Sequence, residues 1–213
     1  MPLHPLIRGA LAALLLATLP ALAGDPAGKF DFYVLSLSWT PTYCATDAKP
    51  DDRSCQTVKR RFEVHGFWPE FERGYPQDCE SSEPQWLDRR VHDRVADIMP
   101  SLGLAGYQWR KHGICAGLSQ SDYFALMRRA HDSVKVPAML AGQPGELRLS
   151  PARIEEAFIA ANPGLVPGAV AVTCRGGMLD EVRICFTKAL GIQRCPEIDR
   201  DACPLYNIRV PAR

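Results

Sequence analysis

The sequence predicts an α+β fold, an antiparallel central sheet with helices packed around it, on three observations. Runs with the two-residue alternation of strands stand toward both ends of the chain, runs with the 3.6-residue period of helices fall between them, and proline, glycine and asparagine punctuate the junctions. No internal repeat, low-complexity tract or linker divides the chain, so one domain is expected over residues 24–213.

The elements follow in order. Phe30 to Trp39 alternates apolar with small or polar residues and reads as a strand, and Pro41 to Asp52 reads as a loop. Arg61 to Phe67 is a second strand, expected to stop at Pro69 because proline lacks the amide donor of a sheet ladder. Gln85 to Met99 places Trp86, Val91, Val95 and Ile98 at helical spacing and ends at Pro100. A short helix is expected over Gln108 to Cys115, and a longer one over Ser121 to Val134 with Tyr123, Phe124, Met127 and Ala130 inward. Ser150 and Pro151 supply an N-cap and first position for a helix running to Asn162-Pro163. Ala169 to Cys174 and Leu179 to Phe186 flank Arg175-Gly176-Gly177 as a hairpin, and Leu205 to Val210 is expected as a last edge strand.

Residues 1–23 read as an export leader. Arg8 precedes an apolar run from Ala10 to Ala17, too short to cross a bilayer, and Ala21-Leu22-Ala23 offers small residues for cleavage after Ala23. The expected destination is the periplasm or the outside medium. Eight cysteines, Cys44, Cys55, Cys79, Cys115, Cys174, Cys185, Cys195 and Cys203, all lie beyond the leader, and an even number in an exported chain points to four disulfides. Proximity favours Cys44 with Cys55; for the rest, spacing does not choose. No Cys-x-x-Cys or His-x-x-x-His pair occurs, so neither a metal site nor a cofactor is expected. The chain has 25 Lys and Arg against 24 Asp and Glu, and loss of Arg8 with the leader leaves it formally neutral. Neutrality does not announce a protein that holds long nucleic acid by charge; it leaves room for one that grips a phosphate and one or two bases through local cations.

Two segments carry the chemistry: His65-Gly66-Phe67-Trp68-Pro69-Glu70 and Gln108-Trp109-Arg110-Lys111-His112-Gly113-Ile114-Cys115. A lone histidine is more often structural than catalytic. A pair of imidazoles with a lysine suits a reaction in which one proton leaves an attacking hydroxyl, another reaches a leaving oxygen, and charge builds on a phosphoryl group between them. RNA carries that hydroxyl beside each phosphate and DNA does not. In a helix Gln108, Lys111 and His112 would share one side, and a bridge from Cys79 to Cys115 would fasten that side near His65.

On these segments the chain resembles the ribonuclease T2 family, whose signatures have the form His-Gly-Leu-Trp-Pro and Glu-Trp-x-Lys-His-Gly-Thr-Cys. The resemblance extends to the Phe-Asp-Phe-Tyr-Val-Leu-Ser-Leu-Ser-Trp strand and to Ser-Pro-x-x-Ile-Glu-x-Ala-Phe near residue 150. It implies a metal-independent endoribonuclease, expected as a monomer, that cleaves single-stranded RNA through a 2′,3′-cyclic phosphate. His112 would be the base, His65 the acid and Lys111 the cation on the phosphate. Trp68 and Glu70 would contact a base, with Tyr75 a further candidate. Gln108 stands where the family has an acid; an amide carries no proton but donates a hydrogen bond. The resemblance also implies bridges Cys79–Cys115, Cys174–Cys203 and Cys185–Cys195. Trp39 and Trp109 read as core, and Arg60, Arg61, Arg110, Arg128 and Arg129 as a solvated face. The rival readings are a non-catalytic exported binding module, a zinc hydrolase and a cysteine oxidoreductase.

Overall fold

The computed structural model describes residues 24–48, 52, 55, 61–142 and 144–212; the expected leader lies outside them. Four antiparallel strands form the body of the sheet. β1 (Phe32–Trp39) lies between β2 (Phe62–Glu70) and β5 (Met178–Phe186), and β4 (Val170–Arg175) pairs with the far side of β5. β6 (Ile208–Val210) meets β5 through one parallel pairing, Met178 with Arg209, and carries β3 (Leu147–Leu149) antiparallel beside it. The sheet is therefore mixed where an antiparallel one was expected. The last strand arrives by a long disulfide-bonded connection, and only hairpin closure would have forced the antiparallel sense. β6 is interior and shorter than expected, with β3 outside it.

Three local expectations are corrected. Thr40–Thr46 forms helix α1 instead of a loop, because Pro41 sits in the first turn, where a missing amide donor costs nothing. β2 runs through Pro69 to Glu70; as an outer strand it has one side without a neighbour, and there proline is tolerated. The expected helix over Gln85–Met99 shrinks to α2 (Arg89–Asp93), capped by the Asp88 side chain, which accepts from the Arg90 amide at 2.7 Å. Upstream, Gln120 Nε2 donates to the Pro84 and Trp86 carbonyls at 3.2 and 2.8 Å, and Trp86 is exposed instead of inward.

The remaining helices are α3 (Leu102–Lys111), α4 (Gln120–Asp132), α5 (Ala138–Ala141), α6 (Pro151–Ala161) and α7 (Pro196–Asp199), with a 3-10 turn over Gly113–Ala116. Ser101, Ser119 and Ser150 cap α3, α4 and α6 through their hydroxyls. Among the described residues no helix is long and apolar enough to cross a membrane.

One sheet face, with Tyr33, Leu35, Leu37, Trp39, Phe67 and Val182, packs on Trp109, Tyr123, Phe124 and Phe158 from the helices. Trp39 and Trp109 are fully buried, and their indole N–H groups donate to the Pro211 and Pro84 carbonyls at 3.0 and 2.8 Å. Each such ring removes about 150–250 Å² from water, about 4–6 kcal/mol before ordering costs. The other face carries a smaller cluster, Phe32, Val34, Cys185, Cys195 and Ile198, beneath the segment holding α7. Disulfides Cys185–Cys195 and Cys174–Cys203 tie that segment to β5 and β4, Cys79–Cys115 ties the 3-10 turn to the chain beyond β2, and Cys44–Cys55 joins α1 to Cys55.

Candidate active site

A β-bulge sets the site. β1 and β2 pair as Ser36 with Gly66 and then Leu37 with Val64, so His65 is the extra residue on β2. At the bulge His65, and above it Trp68 and Glu70, are only partly buried, while Val64, Phe67 and Pro69 are buried. A regular strand would send residues 65 and 68 to opposite faces; the bulge shifts the phase and gives them one face. On β5, Glu181 and Arg183 are two residues apart in an unbroken register with β1, so they share that face beside Ser38 and Ser36; β5 is irregular only toward β4, opposite the step from Val172 to Cys174.

α3 delivers the other half. It ends at Lys111, and His112 is its C-cap, with its amide donating to the Gln108 carbonyl at 3.0 Å. His112 is therefore held by the end of a helix and not within one, as the sequence reading had it. Each histidine is followed by a glycine for a steric reason. A Cβ on Gly66 would lie 2.0 Å from Trp68 Nε1, and one on Gly113 would lie 2.5 Å from Trp109 Cε3.

These elements enclose a cleft of about 490 Å³ that gathers His65, Trp68, Glu70, Tyr75, Gln108, Lys111 and His112. His65 keeps 36% of its side chain exposed and His112, more enclosed, keeps 8% of its surface, so both imidazoles are reachable from the cleft. The Trp68 ring centroid lies 5.4 Å from that of His65 and 5.6 Å from that of His112. Its Nε1 donates to Gln108 Oε1 at 2.7 Å, which commits the Gln108 carbonyl oxygen to holding the indole. Tyr75 stands 5.4 Å from His112, and the Lys111 ammonium lies 5.7 Å from the Tyr75 ring and 5.8 Å from the Tyr107 ring. Of the surface arginines, Arg128 pairs with Asp97 away from the cleft, and Arg61 lies over Trp39. The cations lining the cleft beside Lys111 are Arg183 and Arg200.

Glu181, Arg183 and Tyr107 escaped sequence reading. The Glu181 carboxylate binds His65 Nδ1 through Oε1 and receives Arg183 Nε and Nη2 on Oε2 at 3.0 and 2.9 Å. Arg183 also donates to Asp201 at 3.2 Å and lies 5.4 Å from the Trp68 ring centroid. The available signal was three charges, Asp180, Glu181 and Arg183, within the otherwise apolar Met178–Phe186 strand. A second cleft of about 250 Å³ adjoins the first at His65, which lines both, and is lined further by Glu181, Ser38, Asp47, Asp52, Glu63, Arg175 and Asp180.

The electrostatics separate the groups. Burial, then the Lys111 ammonium and His65, push His112 down to about 3, so its imidazole stands neutral and able to accept a proton. Burial would raise Glu181, but the hydrogen bond and charge of His65, with Arg183, outweigh it and hold the carboxylate at about 2. Burial pushes Glu70 up to about 8 against the pull of Arg183, so near neutrality its carboxyl can donate as well as accept. Among the described residues no group of three or more His, Cys, Asp or Glu side chains is disposed to hold a metal ion.

The sequence model described as the Ribonuclease T2 family matches residues 30–195. A ribonuclease of Aeromonas hydrophila is 38% identical over 119 residues, covering 56% of this chain and 53% of that protein, so the match spans about half of that relative. Ribonuclease DdI of Dictyostelium discoideum is 28% identical over 93% of this chain and 95% of its own length. Among solved structures, an RNase-related protein from Calystegia sepium superposes with a TM-score of 0.68 at 19% identity, covering 86% of this chain and 98% of that one. A mutant of RNase MC1 in complex with 5′-UMP gives 0.67 at 20% identity, covering 84% and 98%.

Proposed function

The chain belongs to the ribonuclease T2 family, and we propose that it is an endoribonuclease that cleaves single-stranded RNA by attack of the ribose 2′-hydroxyl on the adjacent phosphate. One observation carries the reading: two imidazoles from separate elements, one neutral and one against a carboxylate, open on one cleft beside a lysine.

His112, neutral at the end of α3, takes the proton of the 2′-hydroxyl as oxygen attacks phosphorus. Lys111 stands one residue away and balances charge on the non-bridging oxygens. A phosphodiester anion seated on Lys111 offsets the cation that presses the proton off His112, so basicity rises when the substrate is in place. His65 gives its proton to the departing 5′-oxygen, leaving a 2′,3′-cyclic phosphate. In the second step the roles reverse: His65 deprotonates water and His112 returns a proton to the 2′-oxygen, giving a 3′-phosphate. No step calls for a metal, and DNA lacks the attacking group. The base on the 5′ side of the scissile phosphate rests against Trp68 and Tyr75 with Glu70 at its edge, as unstacked RNA bases are held by flat side chains and edge contacts. The second cleft, beyond His65, gives the nucleotide on the leaving side its room. Four disulfides favour an oxidising compartment, outside the cytosol, as the working place.

The test is purified protein with an RNA dinucleotide, followed by phosphorus NMR. A transient cyclic phosphate, formed in excess chelator and absent with the DNA counterpart, is expected. His65→Ala and His112→Ala should each lower turnover by about 10²–10⁴-fold with far-UV circular dichroism unchanged. Activity abolished by chelator and restored by zinc would overturn the scheme, and intact RNA would leave a binding module on this fold.

A further inference from the structure

Resting on the acid role given to His65, we propose that Glu181 is the positioning residue of this site: its carboxylate grips His65 by Nδ1, leaves Nε2 as the nitrogen that faces the leaving oxygen, and balances the imidazolium charge, while Arg183 braces the carboxylate.

Four observations converge. First, the carboxylate is almost fully buried, with 6% of its side chain exposed, and a buried carboxylate is costly unless its oxygens are matched. Here they are: Oε1 by His65, Oε2 by two nitrogens of Arg183. Second, the contact crosses a strand. His65 belongs to β2 and Glu181 to β5, and β1 runs between them with Ser36 and Ser38 at the crossing. Ser36 is fully buried, and a branched side chain there would fill the space through which the two groups meet. Third, both partners lie at irregularities of the ladder, where each strand gives up regular pairing. At Glu181 the backbone amide donates to the Thr173 hydroxyl at 3.1 Å. Fourth, position 108 holds an amide whose oxygen is committed to Trp68, so it supplies no carboxylate to either imidazole.

Arg183 extends the assembly. It lies over Trp68, the proposed base platform, while clamping the carboxylate that holds His65. Seating a base on Trp68 and aiming the acid are thereby mechanically joined.

Other charges surround His65. Arg183 approaches from β5, Glu63 and Glu70 flank it on β2, and Lys111 and His112 stand across the main cleft. Asp47, Asp52, Asp180 and Arg175 face it from the second cleft. Glu181 is hydrogen-bonded to the ring itself, so neutralising Glu181 acts on His65 before any other group.

The experiment compares Glu181→Gln and Glu181→Asp with the wild-type chain by dinucleotide kinetics across pH and by proton NMR titration of the His65 ring. A general acid works only while protonated, so the rate is lost as pH rises through its pKa, and removing the adjacent negative charge must move that alkaline limb to lower pH. Expected for Glu181→Gln is a kcat lower by about tenfold to a hundredfold with KM changed by less than about threefold. The alkaline limb and the His65 titration should shift acidward together, the acidic limb should stay in place, and Glu181→Asp should recover part of both. An unmoved His65 titration in a folded Glu181→Gln overturns the proposal, as does a loss of kcat with both limbs unmoved. Should Glu181→Gln fail to fold, Glu181→Asp decides, because the shorter carboxylate loses its reach to Nδ1: a lower kcat with KM within about threefold is expected, and wild-type kcat together with an unmoved His65 titration overturns the proposal. The titration needs no turnover, so a wild-type chain that leaves RNA intact while His65 still shifts would sink the ribonuclease reading and not this one.

Discussion

Gly66→Ala is the smallest change that tests how the cleft is assembled. The glycine does not have a left-handed backbone, so the substitution adds no torsional strain, only a methyl group. That methyl would sit 2.0 Å from Trp68 Nε1, 2.6 Å from Trp68 Cε2 and 2.7 Å from Gln108 Oε1. Carbon needs about 3.5 Å from such atoms, so the rigid indole must retreat by more than about 1 Å. His65, His112 and Arg183 already stand around it. Overpacking of this kind costs about 1–3 kcal/mol. The 2.7 Å bond from Trp68 to Gln108 is lost with it, about 1 kcal/mol more, for a total of about 2–4 kcal/mol. A displacement of that size between two reacting imidazoles should lower kcat/KM for a dinucleotide by about 10²-fold. Urea unfolding at fixed pH reads the first quantity and initial-rate kinetics the second. Gly145→Ala is the control: nothing lies within 4 Å of a Cβ there, and stability should hold or rise slightly. Equal stability and turnover for Gly66→Ala and wild type would refute the account of the indole as a wedged, hydrogen-bonded platform.

Three further outcomes follow from the charges and bridges. The folded Glu70 value of about 8 lies above its ordinary 4.5, so its contribution is full below about 4.5 and is lost as pH rises through about 8. Glu70→Gln should therefore gain stability over wild type progressively between about pH 5 and about pH 8, and a constant difference in urea midpoints across that range would count against it. His112 has the opposite sign, about 3 in the fold against 6.5, so stability present above 6.5 should fall as pH drops toward about 3. His112→Asn should flatten that slope; an unchanged slope would mean another group causes it. Replacing Cys174 and Cys203 together by alanine should cost about 2–4 kcal/mol and raise KM, because the bridge holds the segment bearing Glu197, Arg200 and Asp201 against the cleft. An unaltered KM would show that this wall does not help to bind substrate.

Much of this was legible because it is local. The alternation of Phe32–Trp39, the cap Ser150 and the Gly176-Gly177 hairpin announce their elements within a few residues. The two histidine-glycine segments could be read as one site only through the reaction that would need both. What stayed hidden is relational. Pro69 looks like a strand terminator until β2 is known to be an outer strand, and Trp86 fits a helical stripe until Gln120 holds its carbonyl outside one. Glu181 and Arg183 gain meaning only from a register that sets Ser38 and Ser36 beside them, and that pairing is nowhere written in the Met178–Phe186 strand itself. The disulfide pairings beyond Cys44–Cys55 came with the family resemblance; spacing does not dictate them.

The surplus residue between Val64 and Gly66 has a meaning for descent. The ladder would be complete without it, since the pairings on either side, Leu37 with Val64 and Ser36 with Gly66, are consecutive along β1. The ladder itself does not call for His65; under the function proposed above, its chemistry and its grip on Glu181 are what keep it lodged there. A lineage released from cleaving its substrate could shed that one position and gain a more regular sheet, so the residue count at this point of β2 would record, in any cousin of the chain, whether catalysis is still being selected.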